Sequence, residues 1–304
     1  MTAPREGIHL GMSKSEYISD PCEAPSLSAS IAKVILSQSP AHAREVHPRL
    51  NPKYAAKQYA DTPAMTKGDA IHRILLEGEQ CYVPIPYGEY RTDASKDLRQ
   101  SAIDAGLIPL RSVQSKKEAR EGTPCELERV LESIPVIRER IQSLAVRPPP
   151  LTDGQPEVVI VWREPNGVWC RGRLDWLRHD LTTIEDLKTT ASANPGEGIG
   201  QFGRQIWQLQ YHIQDAFYRR GVQHLFRSEP EFRFIAVELD GPGCSICALD
   251  SEARAYADAM VRHAIYTWGE CLGSDQWPGY DLSMHRISVP PYIQREWEAR
   301  VDAL

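Results

Sequence analysis

The sequence predicts an α/β protein with a mixed central sheet flanked by helices and a helical N-terminal region. Three observations carry that expectation. The first third of the chain has apolar residues at helical spacing. After Arg147-Pro148-Pro149-Pro150 the pattern changes to β-rich runs separated by turn residues. Two long stretches of helical periodicity interrupt and then follow those runs.

Taken in order, Ser-Leu-Ser-Ala-Ser from 26 to 30 offers serine caps before Ile31, Val34, Ile35 and Leu36, and Pro40 then breaks the helix. The stretch 62–78 places Ile71, Ile74 and Leu75 on one stripe and ends at Gly78, a residue suited to a helix C-terminus. Residues from about 94 to 144 are charged and helix-prone, with separate helix signals at 126–135 and 136–145. Beyond the prolines, Glu157–Trp162, Val168–Leu177 and Leu181–Lys188 form a three-strand meander with a turn signal at Glu164-Pro-Asn-Gly167. One long helix fits Gln201–Arg220, with Phe202, Ile206, Leu209, Ile213 and Phe217 as its stripe and Gly221 as its cap. Phe232–Val237 and Cys244–Leu249 make a hairpin around Asp240-Gly-Pro-Gly243, and a helix follows over Ser251–Leu272. The expected organisation is a single domain over 1–304: a mainly helical part over 1–147, an α/β core over 151–275 and a tail over 276–304.

Composition sets the outer limits. With 304 residues, 41% hydrophobic and 25% charged, the chain has a globular composition and enough length to bury a core without staples. No apolar run reaches about 18 residues, so no transmembrane helix is expected, and the N-terminus has no apolar signal core. Seven scattered cysteines argue against a disulfide framework and for a reducing cytoplasm. The pair Cys244-Ser-Ile-Cys247 has poor spacing to Cys271 for a metal cluster. A net charge of −6 gives no global attraction for nucleic acid, so such binding needs a local basic path, with Arg171 and Arg173 as candidates. Lys116, Lys117 and Arg120 read as a solvated helix face.

The chemistry concentrates in Asp175 and Glu185-Asp186-Leu187-Lys188. Residues i and i+2 of a strand share a face, so Asp186 and Lys188 project together while Glu185 and Leu187 point away. Asp175 ends the preceding strand, where an unpaired charge is costly. Two carboxylates from neighbouring strands suit a hard divalent cation such as Mg²⁺. A lysine two residues on can orient a water or offset phosphoryl charge. His72 stands off the Ile71/Ile74/Leu75 stripe, one turn after Gly68, whose lack of a side chain permits close approach. By itself such a histidine reads as a surface or core residue.

This arrangement resembles the PDDEXK (restriction-endonuclease-like) nuclease superfamily and, within it, the RecE-like (exodeoxyribonuclease VIII-like) exonucleases, commonly encoded by phages or prophages. The likeness runs over most of the chain. It begins with Met12-Ser-Lys-Ser-Glu-Tyr17, Leu27-Ser-Ala-Ser30 and Ser39-Pro-Ala-His42. It continues through Gly68-Asp-Ala-Ile-His72, Gly172-Arg-Leu-Asp175 and Glu185-Asp-Leu-Lys-Thr-Thr190. Tyr211-His-Ile-Gln214-Asp-Ala-Phe-Tyr218 and Trp277-Pro-Gly-Tyr280 complete it. The resemblance implies a single nuclease domain with metal held by His72, Asp175, Asp186 and the Leu187 carbonyl. It makes Lys188 the lysine of the site, and it places a Q-x-x-x-Y motif on Gln214 and Tyr218. Those two share a polar helix face continued by Gln210, the glutamine ordering the lysine or water and the tyrosine hydroxyl holding a phosphate. Tyr211 is the competing tyrosine, without a glutamine four residues before it. Glu157 matches an acidic site residue ahead of the hairpin, or is a strand-edge surface carboxylate.

The implied activity is a Mg²⁺-dependent exodeoxyribonuclease, with Mn²⁺ as substitute, working 5′→3′ on linear double-stranded DNA in recombination. Implied partners are linear duplex ends, a single-strand annealing protein and further copies of the chain, with no membrane. The implied location is the cytoplasm of a bacterial cell or phage-infected host. The alternatives are an endonuclease or single-strand-specific nuclease on the same core, or a catalytically silent DNA-binding protein.

Overall fold

The computed structural model describes residues 4–51, 53 and 63–301. In chain order the elements are β1 (Gly7–His9), α1 (Lys14–Ile18), β2 (Leu27–Ser28), α2 (Ala29–Ser37), α3 (Pro40–Glu45) and α4 (Pro63–Glu77). Then come β3 (Tyr82–Ile85), α5 (Asp93–Asp104), β4 (Ile108–Arg111), α6 (Lys116–Glu121), α7 (Glu126–Gln142), β5 (Gly154–Arg163), β6 (Trp169–Arg178) and β7 (Thr183–Thr190). The chain closes with α8 (Phe202–Gln208), α9 (Tyr211–Phe226), β8 (Glu231–Glu238), β9 (Cys244–Cys247), α10 (Ser251–Ser274) and α11 (Pro291–Val301). Thr62, where the expected helix over 62–78 begins, lies outside the described residues.

The expected mixed sheet is present, in the order β1-β5-β6-β7-β8-β9, with β2 pairing β6. β5, β6 and β7 form the antiparallel meander. β8 returns parallel to β7 and β9 turns back antiparallel. β3 and β4 form a separate parallel pair. Helices cover both faces. Ile160, Trp162, Phe232 and Phe234 pack with residues of α2, α8, α9 and α10. Leu187, Ile235 and Val237 pack with Ile71 and Ile74 of α4 and Ile134, Ile137 and Ile141 of α7. Each such large apolar side chain contributes roughly 1.5–3 kcal/mol by leaving water. Ser28, as expected of a serine cap, accepts the Ile31 N–H at the start of α2, and Ser39 caps α3 with Pro40 at its first position.

Four helical expectations need correction. The helix expected over Gln201–Arg220 is two, because Gln210 adopts a left-handed conformation (φ 55°) between α8 and α9. Leu209, expected on the buried stripe, is therefore half exposed. Gly221 lies inside α9 rather than capping it: a Cβ there would sit 2.6 Å from Ile160 Cδ1 and 2.8 Å from Trp162, so its bareness is what lets the helix lie on β5. The two helix signals around Pro135 merge into the single α7, with the proline inside. No described helix is long and apolar enough to cross a membrane.

Candidate functional site

The site lies where β6 and β7 part. Their register holds for only two pairs, Trp176↔Glu185 and Leu177↔Ile184. At the next step, where Asp175 and Asp186 would face each other, the Asp175 carboxylate takes the place of the ladder: Leu187 N–H donates to Asp175 Oδ2 at 2.9 Å. In an extended strand the N–H and C=O of one residue point the same way, so the Leu187 carbonyl also faces the gap.

The two aspartates belong to one cross-strand step yet reach different sides of the sheet, because alternation along β6 slips between Leu174 and Leu177, which both lie in the α9-side core. Asp175 shares its face with Arg171 and Arg173, toward α4, whereas Asp186 lies with Ile184 and Lys188, toward α9. They converge because the strands separate. On the α4 side, His72 Nε2 lies 2.9 Å from Asp175 Oδ2. Gly68, one turn earlier, permits this approach: a Cβ there would meet Thr189 Oγ1 of β7 at 2.9 Å. Glu157 stands across β5–β6 from Asp175, between the paired steps Pro156↔Trp176 and Val158↔Leu174, with φ of 54°. Such a conformation is costly for a side-chain-bearing residue and recurs at functional sites. His72, Glu157 and Asp175 bring one ligand atom each to within 4.8 Å of one another.

On the α9 side, Asp186 is 1% exposed and pairs with the Lys188 ammonium. Gln214 binds both: its Nε2 donates to Asp186 Oδ1, and its Oε1 accepts from Lys188 Nζ at 3.3 Å. Asp186 Oδ2 is buried and is the oxygen that meets the Lys188 ammonium. The Tyr211 ring, one turn before Gln214, lies 4.7 Å from Lys188 Nζ.

The electrostatics follow from this crowding of acids away from water. Burial pushes Asp186 up to about 6, with the Asp175 charge adding to the rise and Lys188 opposing it. Burial likewise pushes Glu157 up to about 7, even though Arg173 Nη2 is 2.6 Å from its Oε2. Burial opposes the ionised form of Asp175 too, but His72, Lys188 and the Leu187 N–H together hold it below the ordinary carboxylate range. Burial disfavours the His72 imidazolium, yet Asp175 outweighs that cost and raises its pKa. The carboxylates around His72 thus favour its charged form.

The residues fit a divalent cation. Their donor set is oxygen-rich with one imidazole, and His72, Glu157 and Asp175 already bring their ligand atoms within 4.8 Å of one another.

Most expected site residues therefore meet here: His72, Glu157, Asp175, Asp186, Leu187, Lys188 and Gln214. Glu157 stands among the candidate ligands rather than at a surface edge. Tyr218 departs from the phosphate-holding position expected of it. It is 7% exposed, with its ring under Gly172 and its hydroxyl bound to the Arg173 backbone. Tyr211 is the tyrosine beside Lys188. Arg171 is also no part of an open basic path: it is buried, 3.2 Å from Asp20 Oδ1 and bonded to Ser26. Arg173 is engaged by Glu157. Glu185 turns from the site and accepts the Leu151 N–H at 2.6 Å. Cys244 packs on the α7 side of the sheet and Cys247 on the other, so the two make no common ligand set. Lys116, Lys117 and Arg120 lie on an exposed face, as expected.

Residues 28–283 match a family model described as a PDDEXK-like domain of unknown function (DUF3799). Among solved structures, the chain is similar to a protein of Eubacterium rectale provisionally named an exonuclease. That match has 15% identity over 94% of this chain and 96% of that one, with a TM-score of 0.53. This likeness is one of fold. A structure named SSO0001 matches at 12% identity over 80% of this chain and 77% of that one, with a TM-score of 0.34. A comparison with curated proteins finds no match.

Proposed function

The chain belongs to the family of PDDEXK-like domains of unknown function (DUF3799), and from that premise we propose that it is a metal-dependent nuclease, a 5′→3′ exonuclease on linear double-stranded DNA that serves recombination. The observation that carries this reading is the parting of β6 and β7 around Asp175 and Asp186, with His72 and Glu157 on one side and Lys188 and Gln214 on the other. The name given to the Eubacterium rectale protein of the same fold points the same way.

His72, Glu157, Asp175, Asp186 and the Leu187 carbonyl would hold the cation, Mg²⁺ in use with Mn²⁺ as a substitute. When bound, it supplies Lewis acidity toward the scissile phosphate. Lys188 brings a cation to the same gap and offsets the charge that builds on the phosphoryl oxygens. Gln214 fixes Lys188 and Asp186 relative to each other, and Tyr218 supports β6 from beneath as a positioning residue. His72 must give up its proton before its nitrogen can act as a ligand, so metal binding and proton release are linked. The strand left by 5′→3′ digestion is what a single-strand annealing protein binds, and an assembly of copies around DNA would keep the chain on its substrate. A reducing cytoplasm suits its seven unpaired cysteines.

Purified protein with Mg²⁺ and equal masses of linear and covalently closed circular duplex tests the proposal. Loss of the linear form with the circle intact is expected. Nicking of the circle at a comparable rate would replace the exonuclease with an endonuclease on the same site.

A further inference from the structure

Lys33 was not among the residues singled out by sequence, yet α2 carries it to the edge of the site. It is half-buried, and its Nζ donates to the Leu209 carbonyl at 3.3 Å. That carbonyl belongs to the residue that caps α8, just before the break at Gln210. The same ammonium lies 5.2 Å from the centroid of the Tyr211 ring, whose other cationic neighbour is Lys188 at 4.7 Å. Two ammonium groups therefore sit against one ring, no more than about 10 Å apart. Lys188 is neutralised by Asp186. Lys33 forms no ion pair among the described residues, because Asp186, the acid that acts on it, is already engaged by Lys188 and Gln214. A half-buried cation beside another cation, with a neutral carbonyl and a shared aromatic face but no acid of its own, lacks a counter-ion in the free protein. An anion drawn to that spot supplies it.

We propose that Lys33 is a second phosphate-binding residue of the site, seating a backbone phosphate next to the scissile one, with Tyr211 as the wall between the two seats. This rests on the nuclease reading. Burial and the Lys188 charge lower Lys33 to about 8, as expected of an ammonium that lacks its counter-ion. The seat explains how a chain of net charge −6 engages a polyanion once Arg171 and Arg173 are committed to Asp20 and Glu157.

The test is the salt dependence of binding to a short linear duplex, with Ca²⁺ in place of Mg²⁺, for wild type, Lys33→Met, Lys33→Gln and Lys33→Arg. Each phosphate contact contributes about 0.9 to the slope of log affinity against log salt. Lys33→Met and Lys33→Gln should reduce the slope by about that amount and weaken binding roughly tenfold at low salt. Under Mg²⁺ they should raise KM while leaving kcat within about twofold. Lys33→Arg should restore the slope. An unchanged slope together with a lowered melting temperature in both neutral variants would overturn the proposal, making Lys33 a prop for the α8–α9 break, while wild-type cleavage would leave the nuclease reading standing. A wild-type protein that neither binds nor cuts DNA would overturn both.

Discussion

Replacing Gly68 by alanine probes how His72 is brought to Asp175. In a helix, alanine is favoured over glycine by about 0.8–1 kcal/mol. Here the new Cβ meets Thr189 Oγ1 at 2.9 Å, while its next neighbours, Thr189 Cβ and Leu239 Cδ1, lie at 3.8 and 3.9 Å. The clash thus falls on one atom of β7, and overpacking of this kind costs about 1–3 kcal/mol. Gly68→Ala should therefore destabilise by about 1 kcal/mol net. In a Thr189→Ala background the clash disappears and the same change should stabilise by up to about 1 kcal/mol, a coupling of about 2 kcal/mol. His72 is one turn further along α4, so lifting the helix stretches its 2.9 Å contact with Asp175. Mn²⁺ affinity should fall several-fold in the single variant and recover in the double. Urea unfolding of the four proteins, with Mn²⁺ calorimetry on each, makes the measurement. If Gly68→Ala gains the full helix propensity and binds Mn²⁺ as wild type does, the Thr189 hydroxyl has rotated away. The close approach is then not what positions His72.

Glu157 holds its proton up to about pH 7 in the folded chain, whereas an unfolded glutamate loses it near its ordinary value of 4.5. Between those values the folded state binds more protons, so its contribution makes stability fall as pH rises, by about 1–3 kcal/mol once discounted for relaxation and its Arg173 partner. Glu157→Gln should flatten that decline in melts run in EDTA from pH 5 to 8, and an identical slope in variant and wild type would remove the burial argument. Lys188→Ala should lose cleavage yet keep Mn²⁺ binding, because an ammonium is not a ligand; calorimetric loss of Mn²⁺ in that variant would contradict the role given to Lys188.

The sheet core was legible because its signals are long and local. β5 to β8 are eight to ten residues each and rich in β-formers. β2, with two residues, is too short to show a period, and β1 acquires its identity only by pairing with β5. The break at Gln210 leaves no mark in the sequence, because the apolar spacing runs through it without interruption and tertiary packing decides the conformation. Within the site, the parity of Asp186 and Lys188 and the Gly68–His72 spacing could be read from the chain. The positive φ of Glu157 could not, nor could the convergence of two aspartates from opposite faces, since both arise where a ladder stops. Arg171 looked available for DNA by alternation alone. Its actual partners, Asp20 and Ser26, lie about 150 residues earlier in sequence, beyond any local pattern. Lys33 left one signal, a lysine among apolar residues on the helix after Leu27-Ser-Ala-Ser30, which becomes informative only once Tyr211 is placed beside it.

The proposed nuclease activity depends on a cation held at the gap between β6 and β7. Mn²⁺ titration calorimetry on wild type and Asp175→Asn, paired with cleavage of linear duplex by the same samples, tests it most directly. Asp175 touches both His72 and the Leu187 N–H, so the amide removes a ligand charge while keeping the side-chain shape. The prediction is that wild type binds Mn²⁺ and degrades DNA only when metal is present, and that Asp175→Asn loses both. Cleavage that persists in EDTA, or an Asp175→Asn protein that binds metal and cuts as wild type does, would contradict it.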